Sequence, residues 1–184
     1  MLIDLPEPCL VVLVGAAGAG KSTLAARLFA PEEVLSSDAQ RALLTGDEAD
    51  QAVTKTAFAI LHRRLERRMA ERSTTVVDAT NVTSFARRAL VRRATAHGVP
   101  AVAIVLDLEP ALVLTRNATR RGRIVPEPAV RRQLADLTRS LRRGNLEAEG
   151  FGAVYHLRTA SDVDVLRVSR SGGAPARTDE ASGR

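Results

Sequence analysis

Apolar and polar positions along this 184-residue chain alternate between two periods. Leu10–Val14 is an unbroken apolar run that stops at Gly15, the pattern of a strand buried on both faces. A Gly/Ala stretch follows. A helical segment then runs from Lys21 to about Phe29, where Pro31 stops it. Further short apolar runs lie at Val34–Ser37, Thr74–Val77, Val99–Leu108 and Gly150–Leu157. Helical spacing fills the gaps between them. It covers Asp38–Leu44, then Ala49–Arg72, whose Val53, Ala57, Ile60, Leu61, Leu65 and Met69 share a face. Three more helices are predicted, from a cap at Asn81 or Thr83 to His97, over Glu109–Arg121 and over Glu127–Arg143. Strands alternating with helices predict an α/β fold, with a central parallel five-stranded sheet flanked by helices on both faces. Gly122–Pro126 interrupts the helical pattern and predicts a lid over about residues 115–135. Met1–Pro8 reads as a short leader and Asp162–Val168 as a last edge strand. From Ser169 the composition turns to Ser, Gly, Ala, Arg and Pro. The expected division is a domain over residues 1–168 and a disordered tail or linker over 169–184.

Composition narrows the class. A hydrophobic fraction of 45% and a charged fraction of 26% are those of a soluble globular domain. No apolar run approaches a membrane span, so no membrane partner is expected. Cys9 is the lone cysteine, which excludes an internal disulfide and a cysteine-based metal site and fits a reducing cytoplasm. The net charge of +6 favours a polyanionic partner. Lysine occurs only at Lys21 and Lys55, however, so the basic residues are nearly all arginine. That bias makes each single arginine less informative. Arg63, Arg64, Arg67, Arg68 and Arg72, and Arg87, Arg88, Arg92 and Arg93, read as solvated helix faces rather than a nucleic-acid track. Aromatics at 3% exclude stacking on Trp or Tyr as the main mode of nucleic-acid capture.

The chemistry concentrates after the first strand. Gly15-Ala16-Ala17-Gly18-Ala19-Gly20-Lys21-Ser22 has the spacing of a phosphate-binding loop, between a strand pattern and a helix pattern. Glycines let backbone N–H groups wrap a polyphosphate, and the helix that opens at Lys21 turns its positive end toward it. Lys21 is expected to reach the β and γ oxygens of ATP, and Ser22 to hold Mg2+, with Thr23 beside it. In parallel sheets the ligand site lies at the carboxyl ends of the strands, and two more polar clusters fall there. In Ser36-Ser37-Asp38, Asp38 is the candidate general base, or a cap for the helix that begins there. Arg41 lies on the same face and could clamp a phosphate. In Asp78-Ala79-Thr80-Asn81, Asp78 is the candidate second magnesium group, or a loop residue capping its neighbours. Arg116, Arg120 and Arg123 recur at i, i+4 and i+7, a spacing that suits lid arginines closing over a transferring phosphate.

The segments GAAGAGKST, SSDAQRALLTGDEADQAVTKTAF, TVVDATN and RNATRRGRIV resemble the 5′-hydroxyl polynucleotide kinase module of bacterial polynucleotide kinase-phosphatase RNA-repair enzymes. The resemblance runs from about Leu10 to Leu157. It implies an adenylate-kinase-type fold with a helical lid, and ATP with Mg2+ as donor and cofactor. The acceptors it implies are 5′-hydroxyl ends of RNA or DNA. By it, Asp38 activates the 5′-hydroxyl and Arg41 engages the nucleic acid near the reacting end. Arg116 and Arg120 engage the nucleotide phosphates and Arg123 packs on the nucleotide. Gln51 and Thr54 lie near the acceptor, with Asp78 and Asn81 on the substrate side. Relatives join such a module to phosphatase and ligase-like domains, so a longer parent chain is one expectation. Two rival readings share the phosphate loop: a kinase of a nucleoside, sugar or antibiotic, and a nucleotide-holding switch. The guanine-specificity motif Asn-Lys-x-Asp that would support a switch is absent from the sequence.

Overall fold

The computed structural model describes residues 1–40, 54–120, 124–143 and 146–172, without the side chains of 54, 55 and 143. Its centre is a parallel five-stranded sheet. The strands are β2 (Leu10–Val14), β3 (Val34–Ser36), β4 (Thr75–Asp78), β5 (Ala101–Leu106) and β6 (Ala153–Leu157), in the order β3-β4-β2-β5-β6. The apolar runs behave as two-faced strands. Val11, Leu13, Val102, Ile104 and Leu106 enter one core; Leu10, Val12, Val14, Ala101, Ala103 and Val105 enter the other. Period-two alternation with every position buried is what a parallel sheet covered on both sides requires.

The helices are α1 (Lys21–Leu28), α2 (Thr54–Ala70), α3 (Ser84–Ala96), α4 (Pro110–Thr119), α5 (Glu127–Arg143) and α6 (Ala160–Val165). On the first face Leu24 of α1, Val113 of α4, Val130 of α5 and Val163 of α6 bury against the sheet. On the second, Leu61, Leu65 and Met69 of α2 pack with Leu90, Val91 and Ala94 of α3 and Leu137 of α5. The spacing of the α2 residues is the helical one read from the sequence. Thr83 caps α3 by accepting from the Ala86 N–H at 3.3 Å.

Both ends of the chain differ from expectation. Leu2–Glu7 is no loose leader but a strand, β1. It pairs in parallel with β7 (Arg167–Gly172) as a separate two-stranded sheet. Its alternating Ile3 and Leu5 are buried in the first core. The first part of the stretch read as an edge strand, Asp162–Val165, belongs instead to a helix, Ala160–Val165, because Thr159 and Asp162 form a reciprocal capping box. The strand pairing begins at Arg167 and continues past Ser169, where the tail pattern starts. Arg170 of β7 fixes this end, donating to both Glu33 carboxylate oxygens at 2.7 and 2.8 Å.

A second correction concerns Arg87. It is not on a solvated face but fully buried. Its guanidinium donates to both Glu149 carboxylate oxygens at 2.7 and 2.5 Å and to Ser140 Oγ at 2.5 Å. It also reaches the carbonyls of Asn81 and Val82, each at 3.0 Å. One side chain thereby ties α3 to α5 and to the loop that follows β4.

Candidate active site

Strand register brings the polar clusters to one edge. Ser36 pairs with Asp78, Asp78 pairs with Leu13, and Leu13 pairs with Ile104. The carboxyl ends of β3, β4 and β2 are therefore level. The loop after β2 opens into a cavity of about 670 Å³. Gly18, Gly20, Lys21, Ser22, Thr23, Asp38, Asp78, Arg116 and Arg120 all line it. Residues from four separate segments thus meet around one space. Within the loop Ala16 and Ala19 are buried, and Ala17 lines the cavity.

Lys21 Nζ donates to the carbonyls of Gly15 and Ala16, both at 2.9 Å, so the ammonium sits against the first arm of the loop. Burial pushes it down from the ordinary 10.5 to about 8; Asp78 nearby opposes this and the Arg120 charge adds to it. Ser22 Oγ donates to Asp78 Oδ2 at 2.6 Å. Two hard oxygen donors touching across the loop fit a Mg2+ site that substrate phosphates and water complete. Among the described residues no cluster of three or more His, Cys, Asp or Glu could hold a metal on its own.

Asp38 lies in the helical residues 37–40, and Ser36 supplies the capping oxygen there, accepting from the Ala39 N–H at 3.3 Å. Asp38 also borders a second cavity, of about 410 Å³, lined by Ala25 and Ala26 of α1 and by Phe29, its C-cap. Asp78, Ser22 and Arg120 border both spaces.

The helix α4 stands directly on the phosphate loop. Gly18 has φ +86°, and a Cβ there would lie 2.5 Å from the Val113 carbonyl oxygen and 2.9 Å from Asn117 Cβ. Only glycine permits that approach. Arg116 is within α4, and its Nη1 would lie 3.8 Å from a Cβ on Gly20. Arg120 is the C-cap of α4, outside the helix, and faces the cavity all the same. The chain returns along α4 through Asn117, whose amide bonds both the carbonyl and the N–H of Val125, at 2.7 and 3.2 Å.

Asn81, expected on the substrate side, is not among the described residues that line the cavity. With φ +47° it turns the chain, and its buried Nδ2 donates to Leu13 O at 2.9 Å. Its amide is engaged in fastening the loop after β4 to β2. Arg41, Gln51 and Arg123 lie outside the described residues, and Thr54 is described only as the first residue of α2. Sequence reading missed Phe58 and Gln133, which both line the cavity. Phe58 follows Gln51 and Thr54 at helical spacing, a signal that was available. Gln133 lies in α5, and its Oε1 accepts from the Ala17 N–H at 2.8 Å; nothing local marks it.

Comparison with curated proteins gives no match. Among solved structures the chain is similar to a protein of the Pnkp1/Rnl/Hen1 RNA repair complex, at 22% identity and a TM-score of 0.66. That match covers 77% of this chain and 47% of the other, so this chain spans about half the length of that relative. A gluconokinase from Sinorhizobium meliloti 1021 matches at 18% identity and a TM-score of 0.53, over 87% of each chain. A sugar kinase from Janibacter sp. HTCC2649 matches at 21% identity and a TM-score of 0.54, over 82% of this chain and 85% of its own. These likenesses establish the P-loop kinase fold. Residues 10–143 match the AAA domain family AAA_33, which contains the phosphate loop, Asp38, Asp78 and the α4–α5 pair, and the chain belongs to that family of P-loop, kinase-like domains.

Proposed function

We propose that the protein transfers the γ-phosphate of ATP to a 5′-hydroxyl end of RNA or DNA, in nucleic-acid repair. The observation that carries the transferase reading is one cavity with Lys21, Arg116 and Arg120 around the phosphate loop and the Asp38 carboxylate bordering the same space. Phosphoryl transfer asks for little more: charge compensation of the migrating group, and a carboxylate to orient the acceptor hydroxyl and take its proton. Ser22 and Asp78 would hold Mg2+, which supplies charge neutralisation at the phosphate oxygens. The acceptor class is supported by the sequence resemblance around Asp38 and by the net charge of +6, which favours a polyanion.

A second reading, a kinase of a sugar or other small molecule, is favoured by one observation. The gluconokinase match extends over 87% of both chains, whereas the RNA-repair match covers 77% of this chain and 47% of the other.

Transfer of labelled γ-phosphate to short 5′-hydroxyl RNA and DNA oligonucleotides separates the two. The expected result is labelled product that falls by about 10²–10⁴-fold in Asp38→Ala while nucleotide binding survives. No product on any RNA or DNA end, with nucleotide binding intact, overturns the polynucleotide assignment and moves the acceptor to small molecules.

A further inference from the structure

The geometry points to Gln133 as the residue that senses the terminal phosphate of the bound nucleotide. The inference rests on a nucleotide occupying the phosphate loop and is independent of the acceptor.

The position of Gln133 is fixed from both sides. Its Oε1 accepts from the Ala17 N–H at 2.8 Å. On the same helix, Ser140 is held by the buried Arg87. The two contacts are seven residues apart, two helical turns, so they lie on one face of α5. That face therefore spans from the phosphate loop to the loop after Asp78, because Arg87 also holds the Asn81 and Val82 carbonyls.

The contact falls on the arm of the phosphate loop that also carries the Lys21 contacts. Lys21 Nζ rests on the carbonyls of Gly15 and Ala16, and Gln133 is bonded to the next residue, Ala17. The lysine of a phosphate loop serves the β and γ phosphates. Gln133 and Lys21 line the same cavity.

The amide has chemistry to spare. With Oε1 engaged by a backbone N–H, the other end of the carboxamide is an NH2 group with two donors. Among the described residues it has no hydrogen-bond partner. A neutral donor pair in the cavity that Lys21 lines, held by a backbone contact, suits a non-bridging phosphate oxygen. A diphosphate, lacking the outermost group, would leave these donors unused.

Calorimetric titration of wild type, Gln133→Glu and Gln133→Met with ADP and with the non-hydrolysable β,γ-methylene analogue of ATP tests this. Glutamate keeps an acceptor for Ala17 but replaces the donors with a negative charge. Methionine keeps the length and removes both functions. The expected result is a triphosphate affinity lowered at least tenfold in Gln133→Glu and at least threefold in Gln133→Met, with ADP affinity changed less than twofold in both. Equal weakening of ADP and triphosphate would make Gln133 a structural pin and overturn the inference. A wild-type triphosphate-to-diphosphate ratio in Gln133→Met overturns it too, as does a wild-type protein that binds neither nucleotide. Because no acceptor is present, failure of the polynucleotide assignment leaves this result unaffected.

Discussion

Replacing Arg87 by methionine tests how the site is braced. The guanidinium is fully buried, and Glu149 is nearly so, with side-chain exposures of 0% and 6%. Methionine preserves most of the aliphatic stem. It leaves the Glu149 carboxylate, two backbone carbonyls and Ser140 Oγ without the donor that now serves them. Removing one partner of a buried ion pair costs about 3–5 kcal/mol, chiefly the penalty of the charge left behind. That is a large part of the roughly 5–15 kcal/mol that holds a domain folded. Glu149→Met should cost a similar amount for the mirror reason. With both replaced no buried charge is stranded, and the double variant should lose only about 2–3 kcal/mol, for two unserved carbonyls at the low end of about 1–3 kcal/mol each. Urea unfolding followed by circular dichroism gives the four free energies, provided the slope with denaturant stays constant. The double-mutant cycle should show a coupling of several kcal/mol. Additivity to within about 0.5 kcal/mol, or a single Arg87→Met cost below about 1.5 kcal/mol, would refute the argument that the buried pair is a charge-coupled brace.

Two further outcomes follow from the site. Burial holds Lys21 at about 8 rather than 10.5, so between these values the unfolded chain binds a proton that the folded chain has released. The nucleotide-free protein should gain stability from this group as pH rises across that window, while nucleotide affinity falls by up to about tenfold per pH unit, because polyphosphate favours the charged form. Calorimetry at pH 9 in buffers of different ionisation enthalpy should show proton uptake on binding that Lys21→Met abolishes; zero uptake in the wild type counts against the buried ammonium. Gly18→Ala places a Cβ 2.5 Å from the Val113 carbonyl at φ +86° and should lift α4 from the loop. Nucleotide affinity, read by fluorescence titration, should fall more than tenfold, and a wild-type value would mean that α4 is not seated on the loop.

Legibility in the sequence followed the range of the interaction. The five strands of the central sheet, the phosphate loop and the α5 boundaries could be read because period, cap and turn chemistry are set by neighbours within a few residues. Asp38 and Asp78 could be found because each closes an apolar strand run. Asn81 reads as a binding group for the same local reason, as an asparagine in a polar cluster beside a ligand edge. Its assignment to Leu13 O depends on a strand 68 positions away. Arg87 was hidden by the surrounding arginines, because a buried arginine and a solvated one look alike until Glu149 is brought to it across 62 positions.

What the sequence determined by itself, then, is the alternation of strand and helix and the phosphate loop with its lysine and serine. Tertiary structure decided the rest. It levelled β2, β3 and β4 so that Ser22 meets Asp78, stood α4 on Gly18, and brought Gln133 to Ala17 across 116 positions. It also paired the first strand, which reads as a leader, with the last, whose expected position overlaps it only at Arg167 and Val168. The physical reason is that local propensity is encoded in neighbouring residues. A buried polar contact, by contrast, is specified only when packing removes water and one partner must satisfy the other.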